Sequence, residues 1–362
     1  MHDDTRHGSG AAGNSNGRDA DRGEIAATTA APDIRPEPTA ALVPQASAPP
    51  PTLYKTAEEA RDYAREARAP NTRRAYRADW ADFAAWCAAH GLPALPASPE
   101  AVALYLTDRA KTRTVATLQR RLSAIAVAHK TKGYVSPTAH AAVRDVWAGI
   151  RRAKGTAPRG KEPARASQVA RMAWGRPATL AGHRDRALLL LGFAGAFRRS
   201  ELVALDVADL AFHDHGLTVT IRRSKTDQEG AGRPVGIPPA RDPEACPVVA
   251  IRRWLNHARI ADGPLFRPVV RQPKSGRETV RPRRLSAQSV ALIVKRAAAE
   301  VGLDAAIYAG HSLRSGFATS AAEAGKSERA IMAQTGHKSL PILRRYIRAG
   351  SLFHDNAADG LL

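Results

Sequence analysis

Cysteine is scarce in this sequence of 362 residues, and its scarcity limits the class of protein. Only Cys87 and Cys246 are present, they lie far apart, and neither belongs to a C-x-x-C pair. The pattern therefore predicts neither a disulfide framework nor a zinc ribbon, and it fits a reducing compartment. The sequence also lacks an apolar run at its start and any apolar segment long enough to span a bilayer. We therefore expect a soluble, cytoplasmic protein with no membrane partner.

Acidic residues are also few relative to basic residues. The chain has 55 Lys and Arg against 34 Asp and Glu, a formal net charge of +21. Residues 1–51 contain four Arg and seven acidic residues, so residues 52–362 carry +24. A dense polyanion is the natural partner of such a surface, and nucleic acid is the first candidate. An Arg-rich composition or a membrane-surface role would give a similar charge balance, so the choice among these alternatives depends on particular residues.

Composition divides the chain into segments. Residues 1–51 have no aromatic residue and no sustained period, which is typical of a disordered tail. Residues 152–165 combine Gly, Pro and Lys/Arg without an apolar period, which predicts a basic linker able to follow a phosphate backbone. The length of the chain suits two folded domains, expected at 52–151 and 166–350, with a short C-terminal segment at 351–362.

The first domain has four amphipathic helical patterns. One stripe contains Tyr76, Trp80, Phe83 and Cys87, and further helices are predicted from Ser98, near 115–130 and from Ser136. Basic side chains are expected on the outer faces of these helices, where they could contact DNA phosphates. The predicted DNA contacts are Arg73, Arg74, Arg77, Arg120 and Arg121. A plain helical bundle with solvated Arg side chains is the alternative.

The second domain mixes helices with a small sheet. Residues 187–197 are apolar on all sides, which predicts a buried helix. Residues 217–221 alternate apolar and polar, and 233–237 supply an antiparallel partner across a polar turn. Helical patterns then follow at 248–258, 286–301, 313–324 and 328–335.

Six polar residues of this domain stand in contexts that suit phosphate chemistry. Each has an ordinary structural explanation when taken alone, such as a capped helix, a solvated turn or a packed aromatic ring. Arg198 follows the buried helix in R-x-S-E, Lys225 lies at the predicted hairpin tip, and His337 ends a helix nine residues before Tyr346. The ordered set is Arg198, Lys225, His311, Arg314, His337 and Tyr346. Its joint occurrence by chance is very improbable.

This ordered set resembles the tyrosine recombinases of the phage integrase family. Their signature is an Arg in R-x-S-E, a hairpin Lys, H-x-x-R, G-H, and a Tyr nine residues after the last His. The resemblance covers residues 166–350 strongly and extends more loosely over 60–150, where residues 71–76 are similar to the family's opening helix. It implies a mainly α fold, with a four-helix SAM-like core-binding domain before a mixed catalytic domain with a small three-stranded antiparallel sheet.

The resemblance also implies a reaction and a role for each residue. Tyr346 would attack a DNA phosphate to form a covalent 3′-phosphotyrosine, without a metal ion, cofactor or ATP. Arg198 and Arg314 would stabilise the phosphate charge, His311 would accept the Tyr346 proton, and Lys225 would protonate the leaving oxygen. His337 would bind the phosphate. Members of the family act on double-stranded DNA as homotetramers on two sites, and residues 351–362 are a candidate segment for docking on a neighbouring subunit.

Other functions stay open at this point. A topoisomerase-like or telomere-resolving enzyme would use the same chemistry, and a DNA-binding regulator could keep the fold without catalysis. The run His213-Asp214-His215 could suggest metal ligands, but its place before Gly216 favours a hairpin turn.

Overall fold

We describe the protein from a computed structural model. The structure describes residues 50–66, 69–156, 160–224, 227, 230–337, 339–340, 343–344 and 346–347. The predicted tail up to residue 49, Lys225 at the hairpin tip and the C-terminal segment 351–362 lie outside the described residues. In the part of the chain so described, no helix is long and apolar enough to cross a membrane.

The described chain begins with a 3-10 turn and α1, and four further helices follow in the first domain. Their bounds are α1 Tyr54–Glu66, α2 Pro70–Ala89, α3 Pro99–Ala110, α4 Val115–Thr131 and α5 Ala141–Lys154. Ser98 caps α3 as predicted, since its side chain accepts a hydrogen bond from the backbone N–H of Ala101. Residues 137–139 form a separate 3-10 turn, so the fourth predicted helix begins at Ala141 and not at Ser136.

A compact aromatic and aliphatic core joins α2 to α5. Phe83, Tyr105, Leu118 and Ile125 are fully buried, and the ring centroids of Phe83 and Tyr105 lie 5.0 Å apart in an edge-to-face arrangement. Phe83 and Cys87 of the predicted α2 stripe belong to this core and Trp80 packs against it, whereas Tyr76 lies outside it. The core holds the four helices together.

A buried ion-pair network crosses this core and corrects the prediction for Arg121. Its guanidinium lies 2.8 Å from the Asp82 carboxylate and donates to the Tyr105 hydroxyl at 2.9 Å. Only 5% of Arg121 is exposed, so its predicted position on the outer face is wrong. The reason is helical periodicity, because position 121 shares a face with Leu118 and Ile125. Arg121 therefore stabilises the helical core.

The second domain contains seven helices and two small sheets in the described residues. The helices are α6 Ala166–Trp174, α7 Leu180–Ala194, α8 Arg199–Ala204, α9 Pro247–Ala258, α10 Ala287–Glu300, α11 Gly310–Glu323 and α12 Glu328–Thr335. Helix α7 carries the buried leucines at 188, 189 and 191 and packs against α6, α9 and α11. The buried helix predicted at 187–197 therefore begins earlier and ends at Ala194, and the later helical patterns are confirmed.

The main sheet is a three-stranded antiparallel meander. Its strands are β1 Leu210–His213, β2 Gly216–Ile221 and β3 Arg233–Ile237, in the order β1-β2-β3. Residues 214–215 form the tight turn between β1 and β2, as predicted for the His-Asp-His run. A second hairpin pairs β4 Val269–Arg271 with β5 Glu278–Val280 and was not predicted.

Part of the predicted linker belongs to the core of the second domain. Helix α5 extends to Lys154, and residues 161–165, which we call the docked segment, lie against α11 and the loop before it. The backbone N–H of Glu162 donates to the carbonyl of Ile307, and that of Ala164 to the carbonyl of Ser312, each at 2.9 Å. Ala164 is fully buried. The docked segment is thus fixed to the second domain by backbone hydrogen bonds and by the burial of Ala164.

Candidate active site

Arg198 is held at the junction of α7 and α8 by a neighbouring carboxylate. It is the N-cap of α8, and its backbone N–H donates to Oε2 of Glu201 at 2.9 Å. The Nη1 atom of the same residue donates to Oε1 of Glu201 at 2.6 Å, and the carboxylate is buried. A buried partner that holds both the backbone and the guanidinium fixes the direction of the remaining donors.

Arg314 lies at the centre of the site and is almost entirely buried. Nη1 of Arg314 donates to the carbonyl oxygen of Ala196 at 2.7 Å, and only 2% of the residue is exposed. Ala196 adopts a left-handed conformation at φ 48, which is costly for a residue with a Cβ and directs this carbonyl. Burial, followed by the charge of Arg198, lowers the pKa of Arg314 to about 10, so the guanidinium stays charged at neutral pH.

His311 and Tyr346 form the most direct contact of the site. Nε2 of His311 lies 2.8 Å from Oη of Tyr346, within hydrogen-bond distance. Part of His311 remains exposed to solvent, but the protein atoms packed around it and the charges of Arg314 and Arg198 lower its pKa. The imidazole therefore stays neutral to lower pH than a free histidine. A neutral imidazole on a phenol is the arrangement that a general base needs.

Tyr346 is positioned by packing and by an adjacent ion pair. The described residues around it are helical, and its ring packs beside the buried Leu343 and Ile331. Arg344 makes two hydrogen bonds to the carboxylate of Glu328, at 2.9 and 3.1 Å, and so attaches this turn to the start of α12. The nucleophile candidate therefore has a defined location even without DNA.

His337 follows α12 through a left-handed glycine. Gly336 has φ 64, a left-handed conformation that favours glycine over residues with a Cβ. Nε2 of His337 lies 3.2 Å from Nη2 of Arg314. Burial, then the charges of Arg314 and Arg198, lowers the pKa of His337 to about 4. His337 is therefore neutral in the DNA-free protein at pH 7.

The structure thus brings together five of the six predicted catalytic residues. The five are Arg198, His311, Arg314, His337 and Tyr346. Lys225 lies outside the described residues, although Ser224 and Asp227 on either side of it pair through two backbone hydrogen bonds of 3.1 and 3.2 Å. The strands β2 and β3 on either side pair in antiparallel register.

Arg233 is a residue of the site that the sequence reasoning missed. Its Nη1 atom donates to the carbonyl oxygens of Ala333 and Gln334 at the end of α12, and its Nη2 atom is buried without a hydrogen-bond partner. The signal was present, because Arg233 shares the inward face of β3 with Val235 and Ile237. A charge on the buried face of a strand indicates a specific role.

The predicted DNA contacts of the first domain fall into two groups. Arg73, Arg74 and Arg77 are exposed on α2, off its apolar stripe. Arg120 is half exposed, and its guanidinium makes two hydrogen bonds to the buried carboxylate of Asp79, at 2.6 and 3.0 Å. In the part of the chain that the structure covers, no three His, Cys, Asp or Glu side chains are grouped to hold a metal ion.

Comparison with known proteins defines the class to which this fold and site belong. Residues 166–351 match the phage integrase family, and residues 62–131 match the N-terminal SAM-like domain of phage integrases. The chain therefore belongs to the phage integrase family of tyrosine recombinases, enzymes that cleave and rejoin DNA.

Individual proteins of this family are similar to the chain. The chain is 43% identical over 296 residues to an integrase/recombinase XerD homologue from Selenomonas ruminantium, covering 81% of this chain and 85% of the relative. It is 32% identical over 163 residues to tyrosine recombinase XerC from Alcanivorax borkumensis, covering 45% and 47% of the two chains.

Solved structures show the same fold at low identity. A lambda integrase (75–356) dimer bound to a COC′ core site matches with a TM-score of 0.54 and 17% identity, covering 81% of this chain and 94% of that one. The XerH recombinase in its post-cleavage complex with difH DNA matches with a TM-score of 0.53 and 16% identity, covering 70% of each chain. These likenesses agree with the mainly helical fold and the three-stranded sheet.

Proposed function

We propose that this protein is a site-specific recombinase that cleaves and rejoins DNA through a covalent bond between Tyr346 and a 3′ phosphate. The observation that carries the proposal is the 2.8 Å contact between Nε2 of His311 and Oη of Tyr346, beside the buried Arg314. A helical DNA-binding domain at 52–151, joined through 152–165 to a catalytic domain at 166–350, is the organisation that we propose for it.

The attack on DNA follows from this arrangement. Oη of Tyr346 forms a bond to phosphorus while the bond from phosphorus to the 5′ oxygen breaks, and the phenolic proton passes to Nε2 of His311. Lys225 supplies the proton that the departing 5′ oxygen takes up. The phosphodiester is exchanged and not hydrolysed, so a 5′ hydroxyl from another strand can reverse the step without ATP.

Fixed positive charges stabilise the phosphate here, as a metal ion does in other phosphoryl-transfer enzymes. Arg198 and Arg314 present planar donors to non-bridging oxygens, and both are held by protein acceptors before DNA arrives. His337 is beside Arg314 and would contact the same phosphate group. Charges that are already oriented need no rearrangement during the reaction, which favours the pentavalent transition state.

The proposed partner is double-stranded DNA, and the proposed assembly is a homotetramer on two sites. A related lambda integrase structure is a tetramer bound to a Holliday junction, with a TM-score of 0.53 and 19% identity. Exposed Arg73, Arg74 and Arg77, with Arg120, would contact phosphates of the duplex. The segment 351–362 remains our candidate for docking on a neighbouring subunit. We propose that the enzyme acts in the cytoplasm.

The experiment that tests the function uses the DNA on either side of the gene. Two plasmids carrying these fragments are incubated with the full chain in EDTA and without ATP, and the products are examined for joining at one defined position. We expect exchange between the two sites. Relaxation of any supercoiled plasmid without exchange would favour a topoisomerase-like enzyme, and salt-sensitive binding with no covalent product would favour a regulator.

A further inference from the structure

Thr335 contacts His337 from the interior of the protein. It is fully buried in the last turn of α12, two residues before His337. Its Oγ1 atom lies 2.7 Å from the carbonyl oxygen of Ile331 and 2.8 Å from Nδ1 of His337. The hydroxyl therefore bridges the helix backbone and the imidazole ring.

These distances determine which ring nitrogen of His337 carries the proton. A carbonyl oxygen only accepts, so the Thr335 hydroxyl donates its single hydrogen to Ile331. The oxygen of the hydroxyl is then left to accept from Nδ1–H of His337. On the other side of the ring, Nε2 lies 3.2 Å from Nη2 of Arg314, and a guanidinium only donates. Both hydrogen bonds require the same neutral tautomer, with hydrogen on Nδ1 and a lone pair on Nε2.

We infer that Thr335 is a positioning residue that fixes the tautomer and the ring orientation of His337, an inference that rests on the function proposed above. If the acceptor at Nδ1 is removed, the ring is free to take the opposite tautomer. Nε2–H would then face an N–H of Arg314, and two donors would meet without an acceptor. The ring would have to turn away from the position where a phosphate is bound.

The same contact suits the reaction after DNA arrives. To donate to a phosphate oxygen, Nε2 of His337 has to gain a proton, and the negative charge of the phosphate favours that gain. The imidazolium carries hydrogen on both nitrogens, so Nδ1–H still donates to Thr335. Thr335 therefore keeps the ring in place in both protonation states, and only the protonation of Nε2 changes.

The tautomer is tested first, on the full chain without DNA. Long-range proton–nitrogen NMR spectra of protein labelled with nitrogen-15 in histidine distinguish Nδ1–H from Nε2–H, and His337→Asn identifies the signals of His337. We expect Nδ1–H in the wild-type protein and in Thr335→Ser, and loss of that state in the nearly isosteric Thr335→Val. Thr131→Val, which removes a threonine hydroxyl that likewise donates to a helix carbonyl, at the end of α4, should leave these signals unchanged.

Cleavage of a nicked duplex then tests the consequence. We expect Thr335→Val to bind DNA as the wild type does but to cleave about 10- to 100-fold more slowly, because the contact to a charged group is lost. Thr335→Ser should restore cleavage. Thr335→Ala, which also lacks the hydroxyl, replaces the valine variant if thermal unfolding shows that the latter does not fold.

Two results would overturn the inference. One is an unchanged tautomer and an unchanged cleavage rate in Thr335→Val and Thr335→Ala. The other is a serine variant as slow as the valine variant, which would assign the effect to the methyl group and to packing. Failure of the wild-type protein to cleave would instead count against the proposed function, and the NMR spectra would still decide the tautomer.

Discussion

Replacing His311 by glutamine is the perturbation that separates orientation from proton transfer at Tyr346. Glutamine can still hydrogen-bond the phenol, but it cannot accept its proton at neutral pH. In the described structure Nε2 of His311 is 2.8 Å from Oη of Tyr346, whereas Nε2 of His337 is engaged by Arg314. Among the described residues of the site, no second imidazole is placed to accept the phenolic proton. We therefore expect cleavage to slow by about 10²- to 10⁴-fold, the usual contribution of a general base.

The assay is single-turnover cleavage of a nicked duplex at subsaturating DNA, which reports the protonation of the free enzyme. The lowered pKa of His311 extends to lower pH the range in which the imidazole can accept a proton. Activity should persist as the pH falls past about 6.5, the ordinary value for histidine, and be lost only at lower pH. His311→Gln should lack that acid limb. His213→Gln, at the exposed end of β1, is the matched control.

Two results would refute this reasoning. One is cleavage by His311→Gln at nearly the wild-type rate with unchanged DNA affinity, which would mean that water or another group accepts the proton. Alternatively, the wild-type rate could fall by half near the ordinary histidine pKa, which would mean that His311 is not held neutral by its surroundings.

Three further predictions concern the acid, the docked segment and the DNA contacts. Lys225→Ala should cleave ordinary DNA about 10²- to 10⁴-fold more slowly, and a 5′-bridging phosphorothiolate, whose thiolate leaves without a proton, should restore the rate. Gly316→Ala should lower the melting temperature, because its Cβ would collide with the backbone of the docked segment, whereas Gly149→Ala has open space and should raise stability by about 0.5–1 kcal/mol. Arg121→Met should lower the free energy of unfolding by about 1–3 kcal/mol and leave the salt dependence of DNA affinity unchanged, while Arg73→Gln should reduce that salt slope by about one.

Local patterns account for most of what the sequence predicted. Ser98 marks a helix start because its side chain satisfies a free backbone N–H, and that chemistry needs no distant partner. The strands at 217–221 and 233–237 were predicted from alternation, and their bounds agree with β2 and β3 within one residue at each end. The catalytic candidates were found as an ordered set, since each has a recognisable local context.

The features that escaped prediction depend on partners far along the chain. Arg121 lies on the apolar face of α4, and its burial depends on the carboxylate of Asp82 in another helix. The docked segment has no apolar period, and its position depends on backbone hydrogen bonds to residues almost 150 positions later. Arg233 lies on a strand face that the alternation indicates, but its hydrogen-bond partners, Ala333 and Gln334, lie about 100 positions later in the chain.

The central claim is that Tyr346 becomes covalently attached to DNA. A nicked duplex that loses its short 5′ fragment after cleavage cannot rejoin, so the intermediate accumulates. Digestion of the trapped complex and mass spectrometry of the peptides should find a 3′ nucleotide phosphate on Tyr346, and Tyr346→Phe should form no adduct while it still binds DNA. A nucleotide on any other residue, or an undiminished adduct in Tyr346→Phe, would contradict the account.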